Sequence, residues 1–93
     1  MKELRVSYII DKAQLVLNVG ARDNIKPDQR FLIYGLSDKD IIDPATGNSL
    51  GRLELVRGTG TVSYIQDTMC IIESDDMFDF KNPTVGDHAR LIF

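Results

Sequence analysis

Apolar residues recur at every second position and are broken at short intervals by Gly, Pro, Asn and Asp, a pattern that leaves the chain little choice but strands. Leu4, Val6, Tyr8 and Ile10 fall on one face of an extended segment, and Glu3, Arg5 and Ser7 fall on the other. A helix would need the apolar positions three and four apart. After a turn at Asp11 and Lys12 the same period returns in Leu15, Leu17 and Val19, which predicts a hairpin ended by Gly20.

Between Gly20 and Phe31, Ile25 is the only large apolar residue and is expected to plug the end of the fold. Asn24 and Asp28 tolerate left-handed backbone and Pro27 fixes one φ angle, so this loop reads as two successive turns. Phe31 to Tyr34, apolar on both faces, reads as a central strand. Gly35 to Gly51, with Asp38, Asp40, Asp43, Pro44 and Gly47, reads as a turn-rich excursion. Arg52 to Gln66 reads as one long coiled strand in which Gly58 and Gly60 mark a bulge or a bend. Asp67 and Thr68 form a hairpin turn into a short buried strand, Met69 to Glu73. Ser74 to Asp87 is acidic and irregular, with room for a helical turn only at Ser74 to Phe80. Ala89, Leu91 and Phe93 alternate in a last strand, placed to close the sheet against the first. The expectation is an all-β fold, a small barrel of about six mainly antiparallel strands, in a single domain over residues 1–93.

Composition narrows the function classes. A chain of 93 residues with 43% hydrophobic and 27% charged residues has enough apolar material for one core. Its net charge of -3 and singly scattered Lys and Arg argue against nucleic acid, whose binding rests on clustered cations that release counterions. The lone Cys70, in the run Met-Cys-Ile-Ile, reads as a small core hydrophobe and excludes an intrachain disulfide. No apolar run matches a signal peptide core or a membrane span, so no membrane insertion is expected. The expected location is cytoplasmic for the chain as it stands, and periplasmic or envelope-associated for a piece of a longer exported protein.

Catalytic constellations are thin. His88 is the only imidazole, flanked by Asp87, and no nucleophile elbow accompanies it. One Cys and one His do not make a zinc site. Asp38, Asp40 and Asp43, or Glu73, Asp75, Asp76 and Asp79, are oxygen-rich enough for calcium, but neither group has the EF-hand spacing, and both read as solvated acidic loops. Gly58-Thr59-Gly60 lacks the Lys and the following helix of a phosphate loop. We therefore expect no cofactor, no metal and no enzyme. Phe78 and Phe80, set in an acidic loop, are expected to cap the core or contact a partner.

Val19-Gly20, Asn24-Ile25-Lys26, Asp28 and Phe31, then Asp43-Pro44, Thr46-Gly47, Leu50-Gly51, then Gly60 and Val62 together form a pattern over roughly Gln14 to Gln66. It resembles the C-terminal domain of flagellar assembly protein T and related bacterial envelope β-barrel modules. Asn24 and Asp28 stand where that family usually has glycine, and Gln29 where it usually has Asp; Asn and Asp are the least costly substitutes for such backbone. The resemblance implies a module of envelope or flagellar assembly. The combined expectation is a noncatalytic module that binds a protein partner or itself through Asp38, Asp40, Asp43, Thr46, Asn48 and Phe78, with a small-ligand or oligosaccharide-binding barrel as the alternative.

Overall fold

The computed structural model describes residues 3–75 and 78–92. Among these, the strands are β1 (Val6–Asp11), β2 (Gln14–Leu17), β3 (Arg30–Ile42), β4 (Ser49–Ile65), β5 (Cys70–Ser74) and β6 (His88–Leu91), with one short 3₁₀ turn at Ala21–Asp23. They form one antiparallel sheet in the order β1-β2-β5-β4-β3-β6. The all-β expectation is met. The sheet is not closed: its two edges meet at a single bridge, Arg5 to His88, flanked by Val6 N–H donating to the Asp87 carbonyl and Ala89 N–H donating to the Leu4 carbonyl. A barrel would need a continuous ladder there.

The core lies inside the curl of the sheet. Val6, Leu15, Leu17, Val19, Phe31, Ile33, Val62, Cys70, Ile72 and Phe80 are buried together, with Ile25 and Ala89 packed against them. Burial pushes the Cys70 thiol up to about 11, although a hydrogen bond with the Leu17 backbone opposes it. Gly60 is required at its place because a Cβ would meet the Phe80 ring at 2.9 Å and the Glu73 carbonyl oxygen at 3.0 Å. Phe80 thus occupies the space a side chain at position 60 would take.

Three sequence expectations change. Tyr8 and Ile10 do not share the buried face of Val6. The ladder pairs Val6 with Leu17 but Tyr8 with Val16, so Ser7 is an extra residue, and a bulge inverts the alternation that follows. Ile9, opposite the buried Leu15, now points inward, and Tyr8 is 62% exposed. Gly35 to Gly51 is not an irregular excursion: β3 continues to Ile42 and β4 starts at Ser49, leaving only residues 43–48 between them. Finally, no helical turn forms in the described part of Ser74 to Phe80, while Asp76 and Met77 lie outside the described residues, as does Phe93.

Other expectations hold. Asn24 (φ 62°) and Asp28 (φ 69°) adopt left-handed backbone in the loop before β3. Gln66 N–H donates to the Met69 carbonyl across the tight turn at Asp67 and Thr68. The long β4 carries a bulge at Arg57, next to Gly58 at φ 140°.

Candidate interaction site

β3 and β4 outrun their neighbours. β6 pairs with β3 only over Phe31–Tyr34, and β5 pairs with β4 only from Gly60 to Ile65. The remainder, residues 35–42 and 49–57, is a two-stranded ribbon with no third strand among the described residues. It draws the molecule out to 47 × 31 × 22 Å, with a radius of gyration of 14.6 Å. A compact chain of this length would have about 12 Å.

The tip is built by the residues the sequence reading singled out. The Asp43 carboxylate accepts from Ala45 N–H at 2.9 Å, the Thr46 hydroxyl accepts from Asn48 N–H at 3.2 Å, and Gly47, at φ 76°, donates its N–H to the Asp43 carbonyl at 2.7 Å. These are local turn bonds of the type Asp and Thr form with the backbone two residues on. Asp40 accepts from the Ser49 hydroxyl across the ribbon at 2.9 Å. Asp43, Thr46 and Asn48 therefore share the turn and shape it. Asp38 sits apart from it, exposed in an irregular part of β3, and Phe78, 70% exposed, lies in the loop before β6.

The ribbon's chemistry is apolar, and the sequence reading missed it. Gly35 pairs with Leu55, so Leu55 continues the face on which Phe31 and Ile33 enclose the core. Leu53 follows on that face by alternation, and Ile41 joins it because its neighbour Asp40 pairs with Arg52 on the other. Away from the core, nothing among the described residues covers them: Leu53 is 53% exposed and Ile41 44%, and Leu50, near the tip, is 67% exposed. The signal was present as Leu53 and Leu55 alternating with Arg52 and Glu54, but alternation alone does not separate a half-buried strand from a bare one.

Two ionic braces grip the ribbon at its root, one per face. On the inner face Arg57 reaches over Gly35 to the buried Asp87, with Nε 3.1 Å from the carboxylate, which also accepts from Thr84 N–H at 2.8 Å. Outside, Arg90 forks onto Glu54 at 3.0 and 3.1 Å and lies 5.1 Å over the Tyr34 ring, while His88 stacks on that ring at 5.3 Å. The Arg90 hydrogen bonds hold the Glu54 carboxyl below its ordinary value. A further cluster ties β3 and β4 to the end of β5, where Asp75 accepts from Arg30 at 2.6 Å, Thr59 at 2.6 Å and Thr61 at 3.0 Å. The Arg30 hydrogen bond comes first among the causes that bring Asp75 down to about 2.

A separate hollow of about 470 Å³ opens at the far end of the sheet, lined by Leu4, Val19, Ile25, Phe31 and Leu91 together with the polar Asp23, Asn24 and Gln29. Ile25 packs against the core there without filling the space. Among the described residues no three His, Cys, Asp or Glu side chains converge as a metal site, and no helix is long and apolar enough to cross a membrane. No family model matches the chain, and no curated protein matches it either.

Proposed function

We propose that this chain is a noncatalytic protein-docking module, a barrel-like body that holds out the β3–β4 ribbon as its binding arm. The observation that carries this reading is the apolar face of the arm. Leu55, Leu53 and Ile41 prolong the core face of the sheet into solvent, and a two-stranded ribbon is at best marginally stable alone in water. Contiguous exposed apolar surface of this kind marks interaction sites. The braces at the root support it by holding the arm in one direction, which lowers the ordering cost of binding. The likeness of the Asp43–Gly51 turn to the flagellar assembly modules points the same way, toward assembly in a bacterial envelope.

The test compares proteins retained from source-cell extract by the immobilised chain and by its Ile41→Ser/Leu53→Ser variant. The expected result is a stoichiometric protein, this chain itself included, that the variant loses while keeping its circular dichroism spectrum. Identical retention by both would refute the arm as the docking element.

The hollow favours a second reading, a site for a small, mainly apolar molecule, since Leu4, Val19, Ile25, Phe31 and Leu91 form most of its wall and Asp23, Asn24 and Gln29 supply a few polar groups. An apolar library that raises the melting temperature of the wild type, but not of a Val19→Phe variant, would support it.

A further inference from the structure

The outer edge of the arm matches itself. From Ser49 to Val56, β4 has β3 on one side and, among the described residues, no strand on the other; beyond this stretch the Lys81 N–H donates to the Arg57 carbonyl. Leu53 N–H is spent inside the hairpin on the Ser37 hydroxyl, at 2.9 Å. By alternation the peptide groups of Arg52 and Glu54 therefore face the open side. Bare edges of this length invite a further strand.

We infer that the occupant is a second copy of this chain, its β4 pairing antiparallel to the first about a twofold axis at Leu53. This rests on the docking reading above and names its partner. With the axis there, Arg52, whose Nε donates to the Ser37 carbonyl at 2.6 Å, stands opposite the second copy's Glu54, which also holds Arg90; Glu54 stands opposite its Arg52, and Leu53 opposite Leu53. Neighbouring registers are worse: an axis at Arg52 sets two guanidinium groups face to face, and one at Glu54 sets two carboxylates face to face. Opposite charges directly across a sheet stabilise it and like charges oppose it. The backbone agrees with the side chains. Arg52 and Glu54, whose amides face outward, become the hydrogen-bonded pair, and the two Leu53 residues become the non-hydrogen-bonded pair, where side chains approach most closely. The β3 edge offers no such match, because the irregularity of its ladder falls in mid-edge between Leu36 and Asp40, whereas that of β4 falls between Ser49 and Arg52, outside the paired Arg52–Glu54 segment. The result is a four-stranded sheet across two arms, in which both copies' Leu53 and Leu55 share one face.

The contact is small beside a standard interface of about 800 Å² per partner, so dissociation on the order of 1–100 µM is expected. Sedimentation velocity from about 1 to 500 µM should show a monomer–dimer equilibrium for the wild type. Arg52→Glu alone and Glu54→Arg alone should each weaken it by about tenfold or more, since each places like charges across the axis; Glu54→Arg also gives up the Arg90 brace, so Arg90→Ala, which opens that brace and leaves the edge charges in place, should still dimerise. An equimolar mixture of the two variants should restore the dimer, because acidic edge then meets basic edge. Leu53→Cys gives an independent measurement: across the axis the two Cα atoms lie about 4.5 Å apart, within disulfide range. It should oxidise to a covalent dimer, whereas Leu50→Cys, about 20 Å from its copy, should not. Cys70 is buried and does not compete. A wild type monomeric throughout, or a mixture that stays monomeric while the wild type dimerises, overturns the inference. If the chain is monomeric yet retains another protein through Ile41 and Leu53, the docking reading stands without it; if neither contact appears, both fall.

Discussion

Arg57→Met should destabilise the fold more than any other surface-reachable change at the arm root. Asp87 is only 5% exposed, and the side chain of Arg57 keeps 19%. Removing one partner of a buried pair costs about 3–5 kcal/mol, because the remaining charge stays out of water with its lone pairs unmet. Here Thr84 N–H continues to serve one carboxylate oxygen, and water reaches part of the space Arg57 leaves, which brings the expectation to about 2–3 kcal/mol. For a domain of this size each kcal/mol moves Tm by about 4–8 °C, so thermal unfolding followed by circular dichroism should fall by about 10–20 °C. Asp87→Asn should cost less, since the amide keeps an acceptor for Thr84. The double variant should lose at least about 1 kcal/mol less than the sum of the two single losses, the signature of a direct interaction. A loss for Arg57→Met under about 0.5 kcal/mol, or additivity of the pair, would show that the brace does not hold the root.

In dilute solution, where the chain is monomeric, Leu53→Ser should leave Tm within about 2 °C, because the side chain is already 53% exposed and has little burial to lose, which circular dichroism at low concentration can check. Asp75→Asn should lower stability near neutral pH: the gap between an ordinary 3.8 and about 2 corresponds to roughly 2 kcal/mol, reduced to about 1 kcal/mol by screening at this partly exposed site. Since the folded state lowers this carboxyl, its contribution is full above about pH 4 and is lost as pH falls through about 2, so wild type and variant should converge there in urea titrations. Cys70, held at about 11 and fully covered, should resist iodoacetamide at pH 8 until the chain is unfolded, and fast labelling of the native protein would contradict its place in the core.

How far the fold could be read from the residues turns on phase. Period two located β1, β2, β5 and β6, and turn chemistry located Asn24, Asp28 and the bend at Asp67, because each depends on a residue and its near neighbours. Faces were lost wherever a bulge intervened, since one extra residue moves every following side chain to the other side. Ser7 does this in β1, and its cost to the reading was Tyr8 and Ile10. Gly35 to Gly51 failed for a different reason. Asp38 and Asp40 are turn-forming types, yet β3 holds them in a strand paired with β4, and local propensity in strands yields readily to such context, while Gly47 does serve the turn.

The arm also shows why its binding chemistry was invisible beforehand. Asp43 and Thr46 drew attention as polar loop residues, and the structure employs them in shaping the tip, so the polar groups most conspicuous in sequence are consumed by the turn. Ile41 lay inside the excursion read over Gly35 to Gly51 and Leu53 inside the strand read over Arg52 to Gln66, neither singled out, and they are among the residues the arm presents to solvent. Composition along a strand cannot distinguish these roles, because both faces of β4 read the same until the ends of β5 and β6 are known. Once β5 is seen to stop at Gly60, the order Arg52-Leu53-Glu54 changes meaning. Inside a sheet it would be one more alternating strand; on an open edge it is a charge pattern that its own reverse satisfies, and that property follows from the topology rather than from any single residue.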